Sequence, residues 1–298
     1  MKSVLLDSNV LRGISGRRLG DILEAEARAG ILQLQDSWTL YELISHLATP
    51  GDKAHKSSHH AIRVAARRSF FRDLPQILFP TESLVASMLF GEEPPGVADT
   101  MGVLVECCEH IAQTPEGGDL GPVQTTIHEI AQNVARLEGW FAEHIRGLTA
   151  TLLQVTVNHL GKPDRGVIRA FLRSHLARLD AIALINRAYA QAGRVAPDPP
   201  PDDQIQAVAT TCVAGTAVLS EALVMIICDG ANLDSSHIRN LLWDQEVAFP
   251  VGQRVRETEV HLVTNDKVFA RSLVHNNLDR FVISLDEYLR EINVADAV

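Results

Sequence analysis

Two carboxylates that follow short apolar runs are the first candidates for chemistry in this 298-residue chain. Val4-Leu5-Leu6 ends at Asp7, and the run over residues 260–264 is followed closely by Asp266. Such runs are typical of strands buried on both faces of a parallel sheet. A lone acid at a strand end usually only opens a loop. Two of them at the carboxyl edge of one sheet, where ligands bind in such folds, form a candidate cation site.

Two further acids fall on predicted helices that start near the same edge. Glu42 lies in a helix predicted over residues 38–47, and Asp244 lies on the helix before the strand that leads to Asp266. Polar neighbours could support the site, and these are Ser8, Asn9, Thr264 and Asn265. Crowded carboxylates repel one another, and Mg²⁺ or Mn²⁺ relieves that repulsion. Metal-bound water in such a site can hydrolyse a phosphodiester.

The elements that must position these acids come from the two ends of the chain. Strand, helix, strand and helix alternate over the first fifty residues, and the pattern returns after about residue 232. Right-handed crossovers then predict one parallel sheet covered by helices, a three-layer α/β/α fold. The segments between are almost all helical, with a proline-rich linker over residues 196–203. We therefore predict a discontinuous α/β domain, residues 1–50 and 232–298, around a helical insertion, residues 51–231.

Composition excludes several classes of protein. Hydrophobic residues make up 46% of the chain and charged residues 21%, as in ordinary globular proteins. No apolar run approaches the roughly 20 residues of a membrane span, and no signal peptide is evident, so a cytoplasmic protein without membrane contact is expected. The four cysteines lack zinc-site spacing. Aromatic residues are 5% of the chain, so stacking platforms for single strands are expected to be scarce.

One segment reverses the net charge of −10. Residues 53–72 predict a helix that carries six cations, namely Lys53, Lys56, Arg63, Arg67, Arg68 and Arg72. A three-and-four spacing places four side chains along one helical face, those of Lys56, His60, Arg63 and Arg67. We expect a phosphate-binding surface for RNA beside the acidic crevice. The alternative is a solvated helix face paired with acidic neighbours.

The two ends of the chain resemble the PIN-domain nuclease family. The opening residues 5–11, Leu-Leu-Asp-Ser-Asn-Val-Leu, are similar to the first strand of that family, and Leu40-Tyr41-Glu42-Leu43 to its second acidic position. Residues 262–269 are similar to its late strand, in which Thr and Asp precede a helix. Asp244 matches the remaining acid best, with Asp234 as the alternative third ligand. The helical middle has no counterpart in compact members.

This resemblance implies a divalent-metal-dependent endoribonuclease that leaves a 5′-phosphate. Asp7, Glu42, Asp244 and Asp266 would be its catalytic metal ligands, with Mg²⁺ or Mn²⁺ as cofactor. Compact members of the family often act as toxins, so an antitoxin or another protein partner is plausible here, and the insertion could serve as a homodimer interface. Two alternatives stay open: a structure-specific DNA nuclease, and a non-catalytic scaffold whose helical part binds a protein.

Overall fold

The computed structural model of the protein describes residues 2–49, 51–69, 76–160, 165–232, 235–255, 257–274 and 277–294. Its strands are β1 (Lys2–Leu6), β2 (Leu32–Asp36), β3 (Ile77–Leu78), β4 (Arg254–Val255), β5 (Thr258–Val263) and β6 (Val282–Ile283). Its helices are α1 (Ser8–Gly13), α2 (Gly16–Ala29), α3 (Ser37–Ser45), α4 (His55–Ser69), α5 (Thr81–Phe90), α6 (Val97–Gln113), α7 (Gln124–Leu160), α8 (Arg165–Gln191), α9 (Asp202–Thr211), α10 (Val213–Asp229), α11 (Ser236–Ala248), α12 (Lys267–Val274) and α13 (Leu285–Glu291).

The fold is α/β and mainly helical, around one mixed sheet. The strand order is β3-β2-β1-β5-β4, and β6 also pairs with β5. All pairings are parallel except that of β4, which runs antiparallel to the start of β5. β1 pairs with β5 over the full length of β1, from Lys2 opposite Glu259 to Leu6 opposite Val263. The two ends of the chain therefore form one sheet, as the sequence predicts.

Local sequence signals explain most element boundaries, with three exceptions. The helix predicted over residues 203–227 is two helices, α9 and α10, bent by 79° around Cys212. The last helix begins one residue before the predicted cap, Asp286, because Ser284 caps it and Glu287 completes a capping box. The strand predicted before it shortens to β6, since residues 279–281 form a 3-10 turn.

The helical middle of the chain shares its core with the sheet. One continuous apolar cluster contains Leu5 of β1, Leu262 of β5 and Leu223 of α10. α10 packs closely on α11, and Gly215 allows that approach because a Cβ there would lie 2.5 Å from the ring of Phe249. A smaller cluster joins α5, α8 and α9. The helices between the two ends thus pack directly against the sheet.

The beginning of the predicted insertion belongs to the sheet layer. β3 pairs with β2 through Gln35 opposite Ile77 and Asp36 opposite Leu78. α4 packs on α1, α3 and β2. Both elements lie after residue 51, where the α/β segment is predicted to stop. The rest of the predicted domain division stays a prediction.

A buried ion pair connects α4 to the sheet. Arg68 and Glu26 have fully buried side chains, and Arg68 Nη2 lies 2.8 Å from Glu26 Oε1. Arg68 also donates to the carbonyls of Val4 and Leu34, at 3.0 Å each. The hydroxyl of Tyr288 donates to Glu26 as well. The predicted role of Arg68 in RNA binding is therefore wrong, because its guanidinium is sealed inside the core.

Among the described residues, no single helix has the length and apolar composition needed to cross a membrane; α9 and α10 meet those criteria only as a bent pair.

We expect replacement of Arg68 by Leu to lower the free energy of unfolding by about 3–5 kcal/mol, because it leaves the Glu26 carboxylate buried without its partner. The neighbouring Arg67 is exposed, so Arg67→Leu is the matched control and should change stability by less than about 0.5 kcal/mol. Urea unfolding of both variants measures the difference. Equal losses in the two variants would contradict the structural role of the pair.

Candidate metal centre

Asp7 is buried at the carboxyl end of β1 and is held by its neighbours. Its Oδ2 accepts hydrogen bonds from Thr264 Oγ1 and Asn9 Nδ2, each at 2.6 Å. Its backbone N–H donates to the carbonyl of Val263 at 3.1 Å, which continues the β1–β5 ladder. Asp7 is therefore oriented by groups from both ends of the chain.

Asp266 lies beside Asp7 because the same threonine contacts both residues. The backbone N–H of Asp266 donates to Thr264 Oγ1 at 3.0 Å. Asp266 Oδ1 then caps α12 by accepting from the N–H groups of Val268 at 2.7 Å and Phe269 at 3.0 Å. One carboxylate oxygen of Asp266 is thus used for capping, a role that strand-end aspartates often have.

Glu42 reaches the site from α3, on the far side of β1 from Asp266. The strand before α3 is β2, which pairs with β1. Glu42 Oε1 lies 3.1 Å from Arg12 Nη2, and both side chains are about one quarter exposed. Arg12 belongs to α1, directly after Asp7, and sequence reasoning missed it. The only signal was a cation five residues after the first acid.

Electrostatics links the four predicted acids. Burial raises the pKa of Asp7 to about 6, and the charges of Glu42 and Asp266 act in the same direction, against the hydrogen bond from Thr264. Burial also raises the pKa of Asp244 well above its usual range. The neighbouring charges of Asp7, Asp266 and Glu42 add to that effect. The structure thus brings the four carboxylates close enough to repel one another.

The four acids do not surround a common point. Within the described ranges, no three His, Cys, Asp or Glu side chains are arranged so that they could hold a metal ion. The donors suit a hard divalent cation in chemical type, because all are carboxylates and their mutual repulsion favours a counter-ion. A cation bound at this site would compete with Arg12 for the Glu42 carboxylate. Asp234, the alternative third ligand, lies outside the described residues.

The other predicted supporting residues have different roles. Asn265 does not contact the Asp7 carboxylate: its Oδ1 accepts from the N–H of Leu285 at 3.2 Å, and its N–H donates to Asn9 Oδ1 at 3.4 Å. It therefore ties the end of β5 to α13 and α1. Ser8 stabilises the Asp7 carboxylate through its backbone N–H.

The predicted basic surface is only partly present. Lys53, Arg63 and Arg67 are exposed, whereas Arg68 is buried. Lys56 is 84% exposed and lies 3.5 Å from Glu116. Arg72 lies outside the described residues. His60, which shares the predicted face, is turned inward, with Nε2 2.7 Å from the carbonyl oxygen of Ile14. The exposed candidates on α4 that remain are Lys56, Arg63 and Arg67.

A second charged group contains the buried Glu246 and the partly buried Glu82, and sequence reasoning missed it. Glu246, two residues after Asp244 on α11, accepts from Thr81 Oγ1 at 2.7 Å and forms an ion pair with Arg187 at 3.3 Å. Arg187 also pairs with Glu82 at 2.9 Å. Side chains of α5 and α8, in the helical middle of the chain, therefore bind the helix that carries Asp244.

Asp36 caps α3, the helix that carries Glu42. It ends β2 and caps α3, with Oδ1 accepting from the N–H groups of Trp38 at 2.8 Å and Thr39 at 3.2 Å. Burial raises the pKa of Asp36 to about 7, against the two hydrogen bonds. The first turn of the helix that bears Glu42 thus depends on a carboxyl group held in an apolar setting.

Comparisons of this chain with protein-family models, curated proteins and solved structures found no match.

The raised pKa of Asp36 predicts a pH dependence of folding. The folded state binds the Asp36 proton more tightly than the unfolded chain, whose Asp pKa is about 3.9. The free energy of unfolding should therefore fall as pH rises from about 4 to 7, by at most about 1.4 kcal/mol per pH unit from this group. Asp36→Asn removes the charge but keeps an N-cap acceptor.

Urea unfolding at pH 4.5 and 7 should show a smaller pH effect in Asp36→Asn than in the wild type. Asp36→Ala also removes the charge but loses the cap, so it should show the same reduced slope at lower stability overall. An unchanged slope in both variants would contradict the burial of an ionisable Asp36.

Proposed function

We propose that this protein is a divalent-metal-dependent endoribonuclease with a PIN-like active site, in which Asp7 is the central carboxylate. The observation that carries the proposal is the placement of Asp7. It is buried at the carboxyl end of a central parallel strand, oriented by Thr264 and Asn9, and repelled by Glu42 and Asp266. A purely structural aspartate gains nothing from such like-charged neighbours, because they raise the cost of its ionisation.

The fold supports a three-layer PIN-like arrangement in its topology. The β2-β1-β5-β6 part of the sheet is parallel. Asp7 and Asp266 follow β1 and β5, Glu42 lies on α3 after β2, and Asp244 lies on α11, which precedes β4 and β5. Ligands bind at such an edge where neighbouring strand connections diverge. The large helical region, and β4 on the outer edge of β5, are the departures from a compact domain.

In the proposed reaction, the carboxylates hold the metal and the surrounding residues hold the carboxylates. When bound, Mg²⁺ or Mn²⁺ would supply an activated water and neutralise charge on the phosphodiester, leaving a 5′-phosphate. Asp7 and Asp266 would be the central ligands, with Glu42 and Asp244 completing the set. Thr264 keeps Asp7 and Asp266 in register, since it donates to one and accepts from the backbone of the other.

One observation favours a non-catalytic scaffold as the second candidate. Glu42 is neutralised by Arg12, and no three acids converge in the described structure. A scaffold would keep this ion pair permanently, whereas a nuclease would open it to bind the cation. Manganese titration by calorimetry separates the two candidates, because only the nuclease gains a site that Asp7→Asn abolishes. The helical region would then supply the protein-binding surface of the scaffold, such as an antitoxin interface or a dimer contact.

We expect Asp7→Asn to abolish Mn²⁺-dependent RNA cleavage while the fold is retained, because the amide oxygen can still accept from Thr264 and Asn9. Thr264→Val should reduce cleavage by about 10- to 100-fold, the usual effect of removing a group that orients a metal ligand. Cleavage of matched RNA and DNA strands, with and without EDTA, is the measurement. Stronger cleavage of DNA would instead identify a DNA nuclease.

An exposed acid that is not among the predicted site residues provides the matched control. Asp279→Asn, at the 3-10 turn before β6, should leave cleavage unchanged. Full activity in Asp7→Asn would overturn the proposed function, and so would activity that survives EDTA.

We also expect charge reversal on α4 to weaken RNA binding. Arg63→Glu with Arg67→Glu removes two exposed cations, and each lost phosphate contact should lower the slope of log K against log salt by about 0.7 for a single strand. Anisotropy of a labelled RNA at several salt concentrations measures both effects. Arg28→Glu, an exposed cation at the end of α2, is the control. Equal effects of the α4 and α2 variants would show that only net charge matters.

A further inference from the structure

All three tryptophans of the chain lie close together, on α3, α7 and α11, although aromatic residues are only 5% of the sequence. Trp38 and Trp140 line a pocket of about 510 Å³ between α3 and α7, together with Tyr41 and Arg136. Trp243 packs behind it, with its ring centroid 5.7 Å from that of Trp38. We call this site the tryptophan pocket. Its volume lies within the range of roughly 300–1,000 Å³ found for small-ligand sites.

One wall of the tryptophan pocket carries a partly exposed aromatic ring, that of Trp140, and an exposed cation, Arg136. Asn133, Arg136 and Trp140 follow one another on α7 at three-and-four spacing, so they share one face of the helix. Trp140 is 43% exposed, unusual for a residue with so large an apolar ring. The exposed Arg136 hydrogen-bonds the side chain of Asn133 and forms no salt bridge with a carboxylate of the described residues.

The negative charge of Glu82, the acid that lines the pocket, is offset by an ion pair and therefore repels an anionic ligand less. Glu82 lines the pocket, but its carboxylate pairs with Arg187 at 2.9 Å. The guanidinium of Arg187 also lies 5.5 Å from the ring centroid of Trp140. His144 stacks on Trp140 as well, with the two rings 7° from parallel. These contacts hold the Trp140 ring in place while leaving part of it accessible.

The tryptophan pocket shares two helices with the acidic cluster. Tyr41 directly precedes Glu42 on α3. Trp38 lies about one helical turn before Glu42, or about 6 Å along the helix axis. Trp243 directly precedes Asp244 on α11. The tryptophan pocket and the acidic cluster are therefore built partly on the same helices.

We infer that the tryptophan pocket binds an unpaired base of a single-stranded nucleic acid, with the base on Trp140 and the adjoining phosphate on Arg136. A ring and a guanidinium four residues apart match the two chemical parts of a nucleotide. A base inside a duplex is already stacked, so the pocket selects single strands. The link to cleavage rests on the proposed function, and binding itself does not.

The test measures binding without catalysis. A labelled single-stranded oligonucleotide, as RNA and as DNA, is titrated by anisotropy into the Asp7→Asn protein in EDTA. Trp140→Leu in this background should bind about 5- to 100-fold more weakly, the effect of losing one base stack. Trp140→Phe keeps an aromatic face and should bind close to the parent. Arg136→Gln should weaken binding and lower the salt slope by about 0.7.

Two controls keep the result interpretable. Arg178→Gln removes an exposed cation that pairs with Asp202 on the far side of α8, and it should bind as the parent does. Circular dichroism and thermal melts show whether each variant is folded. If Trp140→Leu does not fold, Arg136→Gln, which alters only an exposed side chain, tests the inference in its place. A duplex of the same sequence should bind more weakly than the single strand.

The outcomes separate this inference from the proposed function. Unchanged binding in Trp140→Leu and Arg136→Gln overturns the inference even if Mn²⁺-dependent cleavage is found. Equal losses in Trp140→Leu and Trp140→Phe, or equal affinity for the duplex, overturn it too. If the wild-type protein cleaves nothing but binding depends on Trp140 and Arg136 as described, the inference stands and the proposed nuclease activity fails.

Discussion

The parallel pairing of β1 with β5 is the constraint on which the candidate site depends. It joins residues 257 positions apart, from Lys2 opposite Glu259 to Leu6 opposite Val263. The next residue on each strand is then Asp7 and Thr264, and their side chains meet at 2.6 Å. Without this register, a buried carboxylate at the end of β1 would lack its principal hydrogen-bond donor. The candidate site therefore forms only if the long segment between β1 and β5 brings the chain back beside β1 in this register.

One buried and one partly buried ion pair also fasten this segment to the α/β elements. Glu26 and Arg68 join α2 to α4, beside the carbonyls of β1 and β2. Arg187 and Glu246 join α8 to α11, the helix that carries Asp244. Buried pairs of this kind contribute little net stability but are costly to break. They make the positions of the sheet and of α11 depend on helices from the middle of the chain.

Electrostatics and hydrogen bonding act against each other at the site. Burial and neighbouring charge raise the pKa of Asp7, whereas the bond from Thr264 lowers it. Glu42 pairs instead with Arg12. The site is therefore a set of carboxylates whose repulsion is only partly offset by the protein's own groups. This is the electrostatic state that a divalent cation would relieve.

The sequence by itself determined the features that depend on neighbouring residues. Apolar runs predicted β1 and β5, acids marked their ends, and charge periodicity predicted α4. Partners distant in the chain decided the rest. Arg67 and Arg68 are neighbouring cations on the same predicted helix, yet Arg68 is buried against Glu26 and Arg67 is exposed. A sequence pattern gives the direction of a side chain around its own helix, whereas burial depends on what packs against that face.

The same reason explains the residues that the sequence could not place. Arg12 reaches Glu42, and Trp38, Trp140 and Trp243 gather from three helices, only because the tertiary fold brings α1, α3, α7 and α11 together. The sequence did not predict β3, because a strand of two residues is too short to show periodicity. Its pairing with β2 is a property of the assembled sheet. Local chemistry thus identified the acids, and only the tertiary structure decided which charges and rings surround them.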